Sequence, residues 1–386
     1  MSIEIQTKAG LFALMEQIAQ ERLAARAVID QLATRESIED IEIPLEWRTA
    51  GFVHELAEYA FSKLESDPLQ SLAFAHLGLA VITSISPDNY ASPIFEYLDG
   101  HAWKEIGYAH RYLCSYTPAL NAFQASEESF SNHSSLYGEE MGARFARACI
   151  LALTREYQAA LALNSSTLHE FRSLGDRRRE ILCEVLQAAI FHWQGEFEAA
   201  RNRYESLLEV LRESDDSHTI GVLYNNLGNA YASLGRISDA VIALERAREI
   251  FIGLDMPGEV NRADAGLASV MVSMGDVHNA LPILRRLRDD YLRRHMPEEA
   301  GEIGLLIVDA LIATEQTELA RVLTAQILQE FIDAKLNHRA ITAIAYLRDL
   351  LQTAGDSRAG VRHVRSYVEK LRSEPALLFI PPEEDK

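Results

Sequence analysis

The sequence repeats a small residue at intervals of 40 positions, and this period constrains the fold more than any other feature. The small residues are Ala160, Ala200, Ala240, Ala280, Ala320 and Gly360. Five residues before each of them stands a candidate turn position, which is glycine in four repeats (Gly195, Gly235, Gly275 and Gly355) and Arg155 or Glu315 in the other two. Such a period is typical of repeat architectures in which each unit packs only against its neighbours.

Two helical patterns alternate within each repeat. Tyr224, Leu227 and Tyr231 recur at steps of three and four residues, which predicts an amphipathic helix. A glycine then ends this pattern, because glycine tolerates the left-handed conformation of a helix terminus. Ala240 and Leu244 begin the second pattern. Each repeat is therefore predicted to be a helix–turn–helix pair that buries its apolar face only by stacking on its neighbours.

Two segments carry a recognisable repeat motif. Residues 224–231 read Tyr-x2-Leu-Gly-x2-Tyr, followed by Ala240-x3-Leu, and residues 103–110 read Trp-x2-Ile-Gly-x2-His, followed by Ala119-x3-Phe. Both resemble the pattern of the tetratricopeptide repeat (TPR) family. The long period is similar to that of kinesin light chains, Pins-type polarity adaptors and MalT-like bacterial regulators. The resemblance implies an all-α protein, a right-handed TPR superhelix (α-solenoid) of antiparallel helix pairs.

The N-terminal part of the sequence departs from this regularity. Residues 8–32 predict one amphipathic helix, and an acidic, weakly patterned linker follows at 35–46. A degenerate helical pair is predicted at 47–64 and 69–85. We therefore expect residues 1–92 to form an N-terminal helical extension with one degenerate repeat.

The remainder is predicted to be a solenoid of about seven helix pairs at 93–373, followed by a C-terminal tail at 374–386. Two interpretations of the tail are open. Its Leu377, Leu378 and Phe379 would cover the last exposed groove of the solenoid, or they would form a short motif that docks on another protein or on a neighbouring copy.

The charge of the chain limits its partners. Lys and Arg number 37 against 57 Asp and Glu, a net charge of −20 that repels phosphate backbones and anionic lipids. We therefore expect no direct nucleic-acid partner and no membrane partner. Basic clusters at 177–179 and 285–294 include or adjoin acidic residues, which predicts ion-paired, solvated faces. Three distant cysteines and the lack of a signal sequence or long apolar run favour a cytoplasmic protein.

The sequence lacks the spacings that catalytic chemistry requires. It has no His-Glu-x-x-His or Cys/His cluster for a metal, no phosphate-binding glycine loop and no Gly-x-Ser-x-Gly elbow. Cys149 and Cys183 are predicted to be packed or groove-lining thiols, and His192 beside Trp193 is predicted to be a packed pair. We therefore expect a protein that is not an enzyme and has no metal and no cofactor. An enzyme would need acid and base residues that converge on a pocket.

The TPR resemblance implies a binding groove lined by the first helix of each pair. The positions that it assigns to the groove are Lys104, Tyr108, Arg111, Tyr112, Phe145, Cys149, His192, Trp193, Asn225, Asn226, Asn229, Arg262 and Ser269. Three asparagines within five residues are unusual inside a helix, because the amide competes for backbone hydrogen bonds. They would grip a peptide backbone, or Asn226 and Asn229 would bond neighbouring helices. The Lys/Asn set with which TPR cochaperones clamp a terminal carboxylate is not reproduced.

These observations predict an adaptor or scaffold that binds a protein or peptide in its concave groove. The acidic chain and the mixed aromatic and amide groove favour an amphipathic or basic ligand. The alternative is a signal-responsive regulator that binds a signalling peptide or sequesters a transcription or effector protein, and this alternative requires a conformational change on binding. The sequence leaves homo-oligomerisation open.

Overall fold

A computed structural model describes residues 8–35, 37–38, 41–86, 89–90, 92–334, 338–353, 358–371 and 377–381 of the chain. This part contains seventeen α-helices and no strand. The helices are α1 (Lys8–Leu32), α2 (Ala50–Lys63), α3 (Pro68–Ser84), α4 (Ser92–Tyr112), α5 (Tyr116–Ser131), α6 (Tyr137–Leu153), α7 (Tyr157–Leu174), α8 (Arg177–Trp193), α9 (Phe197–Val210), α10 (Ser217–Ser233), α11 (Ile237–Gly253), α12 (Pro257–Met274), α13 (Val277–Arg293), α14 (Pro297–Ala313), α15 (Thr317–Asp333), α16 (His338–Thr353) and α17 (Arg358–Leu371). The predicted all-α solenoid of helix pairs is confirmed.

The chain divides into two compact units, one of residues 1–151 with 158–183 and one of residues 152–157 with 184–386. In the first unit, α1 to α4 enclose an apolar core that includes Phe52, Leu56, Phe74 and Val81. In the second unit, the largest core extends from α12 to α17. The domain boundaries expected at residues 92 and 373 stay predictions.

The turn within each helix pair has one backbone conformation whether or not it holds glycine. Gly235 adopts a φ of 71°, and Arg155 and Glu315, the two departures from glycine, both adopt a φ of 60°. A left-handed conformation is strained for a residue with a Cβ, so these two turns are held by the helices around them. Gly355 lies outside the described residues.

Small residues let the two helices of a pair approach closely. The repeated alanines from Ala160 to Ala320 are fully buried. A Cβ added at Gly228 would lie 2.6 Å from Leu244, and one added at Gly107 would lie 2.7 Å from the ring of Phe123. The glycine of the TPR motif thus lowers helix propensity, but its missing Cβ allows close packing against the second helix.

The described part of the C-terminal tail folds back on the last helix pair. Leu377 and Phe379 are partly buried against the core of the second unit, whereas Leu378 is exposed. The Tyr367 hydroxyl donates a hydrogen bond to the Leu377 carbonyl at 2.8 Å. Leu377 and Phe379 therefore cover apolar surface as the first interpretation of the tail expects, while Leu378 does not.

Candidate functional site

The predicted groove residues fall into the two units and form two separate sets. The set in the first unit consists of Lys104, Tyr108, Arg111, Tyr112, Phe145 and Cys149, and the set in the second unit consists of His192, Trp193, Asn225, Asn226, Asn229, Arg262 and Ser269.

In the first unit, Lys104 belongs to an ion-pair network. Its Nζ lies 3.3 Å from Oε2 of Glu139, whose Oε1 lies 3.2 Å from Arg179. Burial opposes ionisation of Glu139, but Lys104 and Arg179 outweigh it and lower the pKa of the carboxyl. Lys104 therefore has a protein partner already, which any ligand carboxylate would have to replace.

Tyr108, Arg111 and Tyr112 follow along α4. The Tyr108 ring packs edge-on against Phe123 at 5.1 Å, and burial raises the pKa of its hydroxyl. The Arg111 guanidinium lies 5.8 Å from the Tyr112 ring centroid, within cation–π range. Arg111 and Tyr112 are both partly exposed, so this end of α4 offers a cationic and aromatic surface.

Phe145 and Cys149 on α6 are held by packing. Phe145 lies partly buried against Met141, Phe171 and Cys183. Burial raises the pKa of the Cys149 thiol to about 11, although Arg111 opposes the shift. A protonated thiol is a poor nucleophile at neutral pH, which agrees with a packed role for Cys149.

A buried acid beside Lys104 was not singled out by the sequence. Glu105 is 4% exposed, its Oε2 has no hydrogen-bond partner among the described residues, and burial raises its pKa to about 7. Burial also lowers the pKa of His101 to about 4, with Lys104 adding to the shift. Nδ1 of His101 lies 3.9 Å from Oε1 of Glu105. The histidine is neutral near pH 7, so this contact is not an ion pair there. Their i, i+4 spacing on one helix was the available signal.

In the second unit, His192 and Trp193 do not stack on each other. The His192 ring packs against Phe197 at 5.1 Å, and burial lowers its pKa. Trp193 is 43% exposed. His192 is thus a packed histidine, as expected, but its partner is Phe197, while the exposed Trp193 ring offers a contact surface.

Asn225, Asn226 and Asn229 lie on one stretch of α10, here called the α10 amide face. All three are partly buried. Among the described residues none of their side-chain amides has a hydrogen-bond partner, and Oδ1 of Asn225 is buried without one. Asn229 packs beside α12, since its Oδ1 lies 3.1 Å from where a Cβ would stand on Gly266. Asn226 and Asn229 thus form no side-chain hydrogen bond to a neighbouring helix within the described residues, unlike the second interpretation of these amides.

On α12, the next first helix, Arg262 donates a hydrogen bond to Glu259 at 2.6 Å, and Ser269 is exposed. The other side of α12 carries a polar network that the sequence did not reveal. Asp264, 6% exposed, accepts hydrogen bonds from Arg248 at 2.6 Å and from Arg286. The sequence signal that could have revealed this network was Asp264, an acidic residue in the middle of a helix and on its apolar face.

A depression of about 530 Å³ lies over this network. Its lining combines charged and apolar side chains, namely Glu245, Arg248, Val260, Asp264, Leu267, Ile283 and Arg286. In the basic cluster at 285–294, ion pairs form as expected at Arg286, Arg288, Arg293 and Arg294. Arg286 and Arg288 reach Asp264 and Glu330 on other helices, and Arg288 is buried rather than solvated. In the cluster at 177–179, Arg177 pairs with Glu180 at 2.7 Å.

One segment of the chain matches a known protein family. Residues 181–252 match the family described as tetratricopeptide repeat. This segment of the chain carries tetratricopeptide repeats. Comparison of the chain with curated sequences gives no significant match.

Solved structures with the same fold match almost the whole chain. A Rap protein complexed with competence and sporulation factor is 15% identical, with a TM-score of 0.56, and the match covers 88% of this chain and 99% of that one. NprR in complex with its cognate peptide NprX is 13% identical with a TM-score of 0.54, over 94% and 98% of the two chains. Aspartyl phosphate phosphatase F from Bacillus subtilis is 13% identical with a TM-score of 0.53, over 95% and 93%.

Two further findings concern membranes and metals. Within the described ranges, no helix is long and apolar enough to cross a bilayer. The same residues contain no group of three or more His, Cys, Asp or Glu side chains placed to hold a metal ion.

Proposed function

We propose that this TPR protein is a non-enzymatic, signal-responsive regulator that binds a peptide segment against its first helices. The α10 amide face carries the proposal, because it presents on one helix three amides that have no partner among the described residues. An amide both donates and accepts, so a row of them can bond a peptide backbone with little regard to its side chains. Oδ1 of Asn225 is buried without a partner among the described residues, which costs stability, and a donor on the ligand would offset that cost.

The comparisons favour a regulator over a static scaffold. Two proteins of the same fold, matched over nearly their full lengths, were crystallised with a bound factor or cognate peptide. Sequence identity is 13–15%, so the likeness itself concerns the fold. The proposed ligand is amphipathic or basic, because the protein carries a net charge of −20. A cytoplasmic location follows from the same proposal.

The test compares three proteins in affinity capture from native extract. They are the wild type, the triple variant Asn225→Ala/Asn226→Ala/Asn229→Ala, and a control triple variant at Asn121, Asn202 and Asn279, which are exposed asparagines on the second helices α5, α9 and α13. We expect a peptide or protein held by the wild type and by the control but lost by the α10 variant. All three proteins should melt within a few degrees of one another, since the α10 amides bond no other helix in the described part of the chain.

A ligand retained equally by all three proteins would show that the α10 amide face is not the site. If the α10 variant loses the ligand, amide hydrogen exchange of the wild type with and without that ligand distinguishes a regulator from a scaffold. A regulator changes amide protection beyond the helices that contact the ligand, whereas a static scaffold changes it only at those helices.

A further inference from the structure

The positions of the α10 amide face recur on α14, where they have a different character. Asn225, Asn226 and Asn229 precede Ala240 by the same intervals at which Leu305, Leu306 and Asp309 precede Ala320. Leu305 is fully buried, and Leu306 and Asp309 are 9% and 5% exposed. The three α14 residues, here called the α14 face, are therefore covered, while their α10 counterparts are partly exposed.

Helix α17 packs against α14 and shares its core. Nε of Arg358, the first residue of α17, lies 2.9 Å from Oδ1 of Asp309. Val361, Val364 and Val368 of α17 belong to the same apolar cluster as Leu305 and Leu306. Helix α17 also packs against its own pair partner α16, so it is in contact with the last pair and with α14 together.

The two helices are complementary in charge. Helix α17, RAGVRHVRSYVEKL, contains four Arg or Lys and one Glu, with its buried residues on one side. Helix α14, PEEAGEIGLLIVDALIA, contains four acidic residues and no basic one. A basic amphipathic helix thus lies on an acidic, apolar helix at the register position where α10 presents amides.

The C-terminal tail also packs against α17. The Phe379 ring packs against Tyr367 at 4.9 Å and His363 at 5.6 Å on α17, and against Tyr346 at 5.2 Å on α16. His363 Nε2 lies 2.8 Å from the Ile380 carbonyl oxygen. Residues 377–380, here called the strap, contact α17 without being part of the α14 face.

We propose that the α14 face is a docking surface for a basic amphipathic helix of a partner protein, and that α17 is the intramolecular occupant which the partner displaces. The proposal rests on the proposed groove function but uses another helix and another kind of contact. The α10 amide face bonds peptide backbone, whereas the α14 face selects apolar side chains and one cation. Because α17 is tethered, it competes at high effective concentration, and a free helix binds weakly until α17 is loosened.

The test uses a fluorescent synthetic peptide with the sequence of residues 358–371 as the probe for the full-length protein. Phe379→Ala removes the ring contacts of the strap, and Arg358→Ala removes the ion pair with Asp309. The matched control is Leu378→Ala, in the same strap but exposed. We expect both loosening variants to bind the probe about tenfold more tightly than the wild type and the control.

Hydrogen exchange locates the probe. In Phe379→Ala, amides of α14 should exchange faster than in the wild type and regain protection when the probe saturates. Adding Asp309→Asn should reduce probe binding several-fold, because the probe's own arginine loses its carboxylate partner.

Unchanged probe affinity in both variants, with faster exchange of α14, would show that α17 is a structural end helix and overturn the proposal. Probe binding that is lost in the α10 triple variant and unaffected by Asp309→Asn would place the probe on the α10 amide face. That outcome would sink the α14 proposal while supporting the proposed function. The reverse pattern would leave the α14 proposal standing and the α10 site without support.

Discussion

Helices α10 and α14 occupy the same place in their repeats, yet one presents three amides and the other two leucines and an aspartate. On α10 the amides lack protein partners among the described residues. On α14 the corresponding side chains are buried, α17 packs against this helix, and Arg358 of α17 pairs with Asp309. A repeat position therefore has no fixed role, since what packs on it decides whether it belongs to the core or to a binding surface.

The largest difference in stability is expected when residue types are exchanged between the α10 amide face and the α14 face. Leu305→Asn buries an amide in an apolar core and removes apolar contacts, and we expect it to lower the opening free energy of α14 by about 3 kcal/mol. Asn225→Leu, the matched change on α10, should alter stability by less than about 1 kcal/mol, because it removes an unbonded polar atom. Native-state hydrogen exchange measures both. Equal losses would mean that the two faces are equally buried in solution.

A smaller effect is expected where α10 crosses its pair partner. Gly228→Ala places a Cβ 2.6 Å from Leu244 and 3.2 Å from the Ala240 carbonyl, so overpacking should cost about 2 kcal/mol. The control is Gly253→Ala in α11, where nothing lies within 4 Å and the better helix former should gain up to about 1 kcal/mol. Urea denaturation of both variants checks the signs. A stabilising Gly228→Ala would show that the crossing is looser than its geometry indicates.

Glu105 extends the comparison to α4, because it follows Trp103 as Asn226 follows Tyr224. Burial raises its pKa from 4.5 to about 7, so the folded protein binds more protons than the unfolded chain between these values. Stability from this group is therefore greatest below pH 4.5 and falls as the pH rises to about 7. His101, with its pKa lowered to about 4, acts in the opposite direction up to pH 6.5.

We therefore expect wild type to lose on the order of 2 kcal/mol between pH 5 and 8 relative to Glu105→Gln. Because Glu105→Gln lacks the titrating carboxyl, its stability should show only the increase with pH that His101 contributes. Parallel pH profiles of the two proteins, measured by chemical denaturation, would contradict a buried, proton-binding Glu105.

The smallest effect concerns the turns that follow the two faces. Glu315 after α14 and Gly235 after α10 share the left-handed conformation. Glu315→Gly should stabilise the protein by about 1 kcal/mol, since it relieves backbone strain, and Gly235→Ala should destabilise it by a similar amount. Thermal melts of the two variants would test this. A destabilising Glu315→Gly would mean that the contacts of the Glu315 side chain contribute more stability than the backbone strain removes.

Much of the fold could be predicted from local sequence. Helix α1 has the predicted bounds Lys8–Leu32, and the turn predicted at Gly235 separates α10 from α11. These features follow from helical periodicity and glycine, which act within a few residues. The left-handed turns at Arg155 and Glu315 were visible only as positions in the period, because neither residue type favours that conformation.

The candidate site was less predictable, because its side chains are partnered across long stretches of chain. The sequence located the asparagines of α10 and proposed two uses for Asn226 and Asn229, and only the structure shows that neither bonds a neighbouring helix among the described residues. The sequence placed Phe145 in the groove, and only the structure shows that its ring packs partly buried beside Phe171. It did not reveal Asp264, since its partners Arg248 and Arg286 are on two other helices.

The sequence by itself determined a chain of paired helices with a 40-residue period, because helix periodicity, small crossing residues and turn chemistry are all encoded within one repeat. Tertiary structure alone decided which repeats keep an open face. Asp309 and Arg358 are 49 residues apart, and nothing in either helix alone states that they meet. Burial depends on what packs against a helix from elsewhere in the chain, so the same position became an amide surface on α10 and core on α14.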